Sequence, residues 1–403
     1  MQNNLNKTNI VIVNNALRLI DNPLLVDLKG PTIFVFAFTP YYFSKARYTG
    51  IDSVSGNRFK YLFNCINRFK VQLKETYNID LLVLEGTYKQ VVDKLSNHFT
   101  NVNVRVLHQP YLYEVMYEDE LLNSDYNKLN NNVYLVADGV TLLPFNTSVK
   151  LYETNYSKTF SSFFNNYMKL QKDFSFVNTS NLNITPVDVS SVKSIEIKGD
   201  SLGFTYNFDN IVGYAENRQY ISGKPTIKCE GALSLGTLSK AMAVGTILNN
   251  KDASNEDKTA FVRSLVWADY CYVIAEIEGD KIFYRNGLSK DTNNGKIERI
   301  PDAIRGLGPE VKFYNKAITK LRRDGYLTNR ERMMLGSYIV KVLGYSHLAF
   351  AELMEANLLG FNVANNWIGA QSCNGTGVDT IPGGRPFNIR KQLDEWDLDG
   401  VYK

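Results

Sequence analysis

The sequence predicts two joined units: an α/β domain on a Rossmann-like parallel sheet, followed by an all-α domain. Three observations carry this reading. Through the first third of the chain, short runs dense in Val, Ile, Leu and Phe alternate with helical patterns, as in strands buried on both faces. Residues 151–213 turn rich in Asn, Ser and Thr with short aromatic pieces, the composition of a connection. Beyond about residue 217 the apolar spacing becomes helical.

The predicted strands are NIVIV (9–13), TIFVFAF (32–38), DLLVLEG (80–86), VNVRVLH (102–108) and NVYLVAD (132–138). Between the second and third, NRFKYLFNCINRFKVQLKETY (57–77) sets aromatic and aliphatic residues at helical spacing with basic residues on the other face. TYKQVVDKLSNHF (87–99) predicts a second helix. No strand leads into a GxxxxGK[ST] loop or a GxGxxG turn, so this half carries no nucleotide-binding signal. In the second half, AFVRSLVWADYCYVIAEI (260–277) and EVKFYNKAITKLRRDG (310–325) are helical, with Gly325 placed as a C-terminal cap. Thr328 and Glu331 have capping-box spacing at the head of TNRERMMLGSYIVKVLG (328–344), which Gly344 stops. Residues 349–359 predict one more helix. The domains are set at 1–150 and 217–403, with 151–216 as the connection. One stretch stands apart: GFNVANNWIGAQSCNGTGVD (360–379) lacks an amphipathic period and surrounds Trp367 with amides, glycines and small residues.

Bulk composition bounds the function. The 403 residues suffice for two ordinary domains, and 44% apolar with 21% charged residues is a folded composition. Lys and Arg number 45 against 41 acidic residues, so a nucleic-acid surface must come from local clustering. Cys65, Cys229, Cys271 and Cys373 form no CxxC pair, which argues for a reducing compartment and against a zinc or iron–sulfur site. MQNNLNKTNIVIV is not a secretory signal, and no apolar run is long enough to span a bilayer. A cytoplasmic or nucleoid/nuclear monomer without a membrane partner is expected.

Several segments, in order, resemble the photolyase/cryptochrome family, and most closely its DASH branch. RPFNIRKQLDEWDLDGVY (385–402) is similar to that branch's R-x-FN-x-x-KQ-x-x-x-x-D-x-DG-x-Y ending, and GYLTNRERM (325–333) to the family's TG-[WYF]-M-x-NR-x-R turn. Residues 337–377 fit the flavin-pocket segment without a gap. NNALRLIDNPLL (14–25) is similar to the RNDLRLHDNPAL after the family's first strand, and FVRSLVWADY and GTLSKAMAVG add weaker matches. The resemblance implies an FAD-binding-type helical domain holding folded, U-shaped FAD. It also implies a pocket for a flipped-out cyclobutane pyrimidine dimer, split by light-driven electron transfer: a deoxyribodipyrimidine photolyase, a carbon–carbon lyase. DNA, single-stranded or damaged, is the implied partner. No motif identifies an antenna pigment.

Carried over residue by residue, the resemblance places Asn366 beside flavin N5 and Asn329 and Met333 facing lesion and flavin. Asn366 and Asn329 are the candidate catalytic pair. Trp267 and Met333 line the lesion pocket; on the residues alone both are ordinary helix packing. Thr237, Ser239, Asn329, Arg332, Asn362 and Asn366 form the expected cofactor set, with Ser239 near the FAD phosphates and Arg332 beneath the flavin. Lys320, Arg322, Arg323 and Arg330, beside Lys316, are either DNA phosphate contacts or a solvated helix face.

The departures from the family pattern are as informative. Gly360 and Asn362 occupy its two acidic positions, the first of which normally pairs with the arginine. A buried guanidinium without a carboxylate costs about 3–5 kcal/mol. Glu355 or another acid is therefore expected to replace it, or Arg332 to turn to solvent. Leu235 and Gly236 stand at hydroxyl positions of the phosphate loop, and Ser264 and Ala268 at the lesion helix's glutamate and arginine positions. Ala370 and His347 occupy the two inner positions of the family's tryptophan chain, which closes that photoreduction route. His347, among Tyr345, Leu348 and Phe350, reads as structural. Two functions stay open: a divergent FAD-dependent photolyase/cryptochrome, or a flavin-free degenerate scaffold binding nucleic acid or protein. A light-sensing cryptochrome is a third.

Overall fold

The computed structural model describes residues 7–403 apart from 97–100, 125–131, 155–157, 171, 173, 175, 178, 180–181, 198–205, 290–294, 379–383 and 385. The end of the predicted 87–99 helix, Asp379 and Arg385 thus lie outside the described residues. Five parallel strands, β1 (Thr8–Ile12), β2 (Lys29–Phe38), β3 (Leu81–Glu85), β4 (Val102–Leu107) and β5 (Asn132–Val136), run in the order 3-2-1-4-5. Helices α1 (Gly56–Tyr77), α2 (Tyr88–Ser96) and α3 (Leu112–Leu122) accompany them. Phe34 and Phe36 pack with Ile66 and Phe69 of α1, whereas Ile10, Ile12 and Val35 pack with Val91 of α2 and Leu121 of α3. Both faces are buried, so the strands read as continuous apolar runs rather than alternating ones.

The helical half comprises α4 (Phe145–Thr154), α5 (Phe160–Lys169), α6 (Tyr214–Asn217), α7 (Glu230–Ser234), α8 (Lys240–Asn249), α9 (Asn255–Glu278), α10 (Pro309–Asp324), α11 (Asn329–Ser337), α12 (His347–Asn357), α13 (Val363–Gln371) and α14 (Ile389–Trp396). One core cluster joins them, centred on the buried face of α9 with Val266, Tyr270, Tyr272 and Ile274. The 151–216 stretch contributes to both halves: α5 packs on α9, and β6 (Asn183–Pro186) pairs in parallel with the start of β2. A four-residue strand is too short to announce itself by pattern. The helix predicted through residue 344 ends at Ser337 and continues as a wide turn, with Leu343 N donating to Tyr338 O at 3.0 Å.

Strand order reverses between β1 and β4, and in open α/β sheets the crevice beyond those strand ends is the usual ligand site. Here the helical half closes it. Glu355 of α12 accepts from the Tyr41 hydroxyl at 2.7 Å and from Trp367 Nε1 at 3.0 Å, while the Arg58 guanidinium donates to the Glu355 carbonyl. Glu352 accepts from the backbone N–H groups of Tyr48 and Thr49 at 2.7 Å. What remains is a cavity of about 110 Å³, lined in part by Glu114, whose carboxyl burial raises to about 7. Nearby, His108 bridges Glu118 at 2.7 Å and Glu276 of α9 at 2.9 Å. Burial pulls its pKa down, but the two carboxylates outweigh that and hold it up at about 9. Gly236 seals the seam: at φ +68° its Cβ would lie 2.0 Å from Asn15 O, and Arg18 donates to the Gly236 carbonyl at 3.0 Å.

Candidate functional site

A second hollow, a cleft of about 970 Å³, lies within the helical half between α9, α11, α13 and the 226–234 segment. The α11 wall is set by its capping box: Thr328 Oγ accepts from Glu331 N at 3.2 Å and the Glu331 carboxylate from Thr328 N at 2.6 Å. Lys320 Nζ at 2.7 Å and the Tyr402 hydroxyl also bond that carboxylate. With the first turn fixed, Asn329, Arg332 and Met333, at i, i+3 and i+4, share one face and line the cleft.

The 360–379 stretch, expected to be non-helical, forms α13 over Val363–Gln371. Asn362 caps it by accepting from Asn365 N at 3.0 Å. Asn362, Asn365, Asn366, Gly369 and Ala370 line the cleft, whereas Ala364, Trp367, Ile368 and Gln371 are buried behind. The helical period is present, but amides and small residues carry it, and a search for apolar stripes misses that. Amides recurring three and four apart were the usable signal. On the facing wall Trp267 Nε1 donates to Asn365 Oδ1 at 2.7 Å, and Phe160 meets the indole edge-on at 4.9 Å.

Thr237 and Ser239 do not line this cleft. Thr237 donates to Ala232 O at 3.3 Å, and buried Ser239 caps α8 by accepting from Met242 N at 2.9 Å. Their loop is held against the sheet domain through Gly236 and through Leu17 N donating to Leu235 O at 3.3 Å. The chain lines the cleft on either side of Thr237 and Ser239, at 226–230, Leu233 and Ser234 before and at Lys240 after. Glu355 is not the partner of Arg332, because it faces the seam. The nearby carboxylate is Glu230, 3.9 Å from Arg332 Nη2, while Arg332 Nε donates to Leu327 O at 3.1 Å.

The basic cluster divides. Lys320 is paired with Glu331, Arg322 with Asp302 and Arg323 with Asp324, and none of the three lines the cleft. Arg330 is held instead by the neutral amide oxygens of Gln392 and Gln219 and stacks 4.5 Å from the Trp396 ring centre. It lines a side hollow of about 320 Å³ shared with Arg218, Asn329 and Met333.

Comparison with known proteins gives two family matches. Residues 9–179 match the DNA photolyase family and residues 316–403 the FAD binding domain of DNA photolyase. The chain belongs to the photolyase/cryptochrome family. It is 24% identical to a cryptochrome DASH of Idiomarina loihiensis over 98% of this chain and 91% of that protein. To the cryptochrome DASH of Xenopus laevis it is 23% identical, over 98% and 81%. Its fold superimposes on a Synechocystis cryptochrome with TM-score 0.78 at 20% identity, covering 98% of this chain and 87% of that one. For an archaeal photolyase of Sulfolobus tokodaii, solved with two FAD molecules, the values are 0.77, 19%, 98% and 89%. Among the described residues no helix is long and apolar enough to cross a membrane.

The photolyase/cryptochrome cofactor can be tested against these walls. The volume lies at the upper end of ordinary ligand pockets. Among the described lining residues five are basic (Arg218, Lys228, Lys240, Arg263, Arg332) and one, Glu230, is acidic, with Lys240 already paired to buried Asp269. A Cβ on lining Gly369 would meet nothing within 4 Å. Excess positive charge, amides and room fit a large anionic heterocycle such as FAD. The lesion side is poorer: Ser264 Oγ is turned to Phe261 O at 2.6 Å, and Ala268 offers no polar group. His347 is buried, bonds Asn374 at 2.9 Å and is pushed down by burial to about 4, so it is neutral at physiological pH. Of the three tryptophans, only Trp267 reaches the cleft.

Proposed function

We propose that this photolyase/cryptochrome homologue holds FAD in the helical cleft. As a DASH-like photolyase, it uses light to split cyclobutane pyrimidine dimers in single-stranded or damaged DNA. The observation that carries this is the convergence of Asn329, Arg332, Met333, Asn362, Asn366 and Trp267 on one roomy, basic cavity. Bound FAD supplies the light absorption and the one-electron chemistry. Arg332 and the Asn366 amide hold the cofactor, since a guanidinium and an amide match the acceptors and donors around a flavin edge. Asn362, whose Oδ1 caps α13 and whose Nδ2 donates to the Tyr111 hydroxyl at 3.3 Å, positions that turn rather than the ligand. Trp267, fixed by its bond to Asn365, offers an aromatic face on which an extruded base stacks, with Met333 filling the gap beside it. Arg330, which among the described residues has no carboxylate within salt-bridge distance, Glu395 acting on it only from farther off, is the phosphate contact of the basic cluster.

The bare lesion wall at Ser264 and Ala268 favours a second reading, a scaffold that binds nucleic acid or protein without turnover. The deciding experiment supplies FAD, reduces it chemically and illuminates the protein with a dimer-bearing oligothymidine in near-ultraviolet light. Light-dependent loss of dimer is expected. A folded protein that takes up no FAD selects the flavin-free scaffold, and full FAD loading with no loss of dimer rules out repair.

A further inference from the structure

We infer that Glu230 is the counter-ion that positions Arg332 in the cleft wall, an assignment that rests on the FAD reading above. Arg332 is mostly buried, with 21% of its side chain exposed, and its Nε donates to Leu327 O at 3.1 Å. That carbonyl is neutral, so the charge still needs a balance. Among the described cleft-lining residues the one carboxylate is Glu230, 3.9 Å from Arg332 Nη2. Its charge acts into the cleft: it adds to burial in raising the phenols of Tyr214 and Tyr326, which both line the cavity.

Gly360 makes this placement feasible. A Cβ there would lie 2.5 Å from Glu230 Cβ, 3.0 Å from Glu230 C and 3.1 Å from Gly231 N. Any side chain at 360 would push the head of α7, and its carboxylate, away from Arg332. Glycine at 360 and glutamate at 230 are therefore a matched pair, with the acid on one side of the contact and the space for it on the other. A carboxylate 42% exposed at 3.9 Å contributes little to the stability of the fold. Its effect is on where the guanidinium stands when an anionic ligand competes for it.

The test is FAD titration, read by quenching of flavin fluorescence, with thermal unfolding alongside. Glu230→Gln is expected to weaken FAD binding about tenfold while the melting temperature moves by less than about 2 °C. Glu230→Asp, which keeps the carboxylate, should lose clearly less. Unchanged affinity in Glu230→Gln, or a loss in Glu230→Asp as large as in Glu230→Gln, overturns the assignment. If the parent protein takes up no FAD, the cofactor reading falls, and the pair is judged in the unliganded protein. The guanidinium NMR signal of Arg332 in the parent and in Glu230→Gln then decides: a changed shift supports the pairing, and an identical signal rejects it.

Discussion

The crevice at the strand ends and the cleft in the helical half contrast in size, about 110 Å³ against about 970 Å³, and in what fills them. The crevice stands where a doubly wound sheet ordinarily takes its ligand, yet it is occupied by Tyr41, Arg58, Trp367 and two carboxylates bonded across the domain boundary. The cleft keeps its amides and guanidinium around open space. One unit has committed its usual binding position to joining the halves, and the other has become the place where chemistry fits. Substitutions in the first should therefore act on stability and those in the second on ligands.

The largest effect is expected at the seam. Gly236→Val should destabilise the protein by at least about 3 kcal/mol, because a left-handed backbone and contact with Asn15 O both oppose a side chain. A soluble variant with an unchanged melting temperature would show that the loop is not clamped. Next, the seam takes up protons on closing. Glu114 has its folded pKa raised to about 7, so its contribution is complete below about pH 4.5 and is lost as pH rises to 7. His108, held at about 9, contributes fully below about pH 6.5 and loses that as pH rises through 9. Glu114→Gln should flatten the acid part of the stability–pH curve by about 2 kcal/mol, and His108→Gln the alkaline part. Denaturant midpoints from pH 4 to 10 check both, and a parent curve flat in those windows contradicts the assignment.

In the cleft, Arg332→Ala should weaken FAD binding tenfold or more, about 1.4 kcal/mol, with little change in unfolding. Equal binding would place the cofactor elsewhere. The smallest effect separates the basic residues. Arg330→Ala should lower affinity for oligothymidine about threefold to tenfold and reduce its salt dependence, while Arg323→Ala, paired with Asp324, should leave both nearly unchanged. Equal losses would mean that the ion pairs give way on binding.

The sheet was legible because strands buried on both faces cannot be written without unbroken apolar runs, and α11 because Thr328 and Glu331 announce its first turn. The cleft was legible only in part. Asn366, Arg332 and Trp267 were found, but α13 hid its period in amides, and the 226–230 wall hid because Ile227 and Cys229 break any run of hydroxyls there. Glu230 was unreadable for another reason. Its role depends on the empty space at Gly360, a residue far along the chain, and that proximity exists only after folding. The seam eluded the reading likewise, since nothing local in Gly236 or Asn15 tells that they touch.

The most direct test of the central claim is the amount of FAD the purified, folded protein holds after incubation with excess cofactor and removal of the unbound fraction. The visible spectrum and the mass of the released molecule give that amount. Close to one FAD per chain is predicted, falling sharply in Arg332→Ala. A colourless protein that stays folded and retains none would contradict the account.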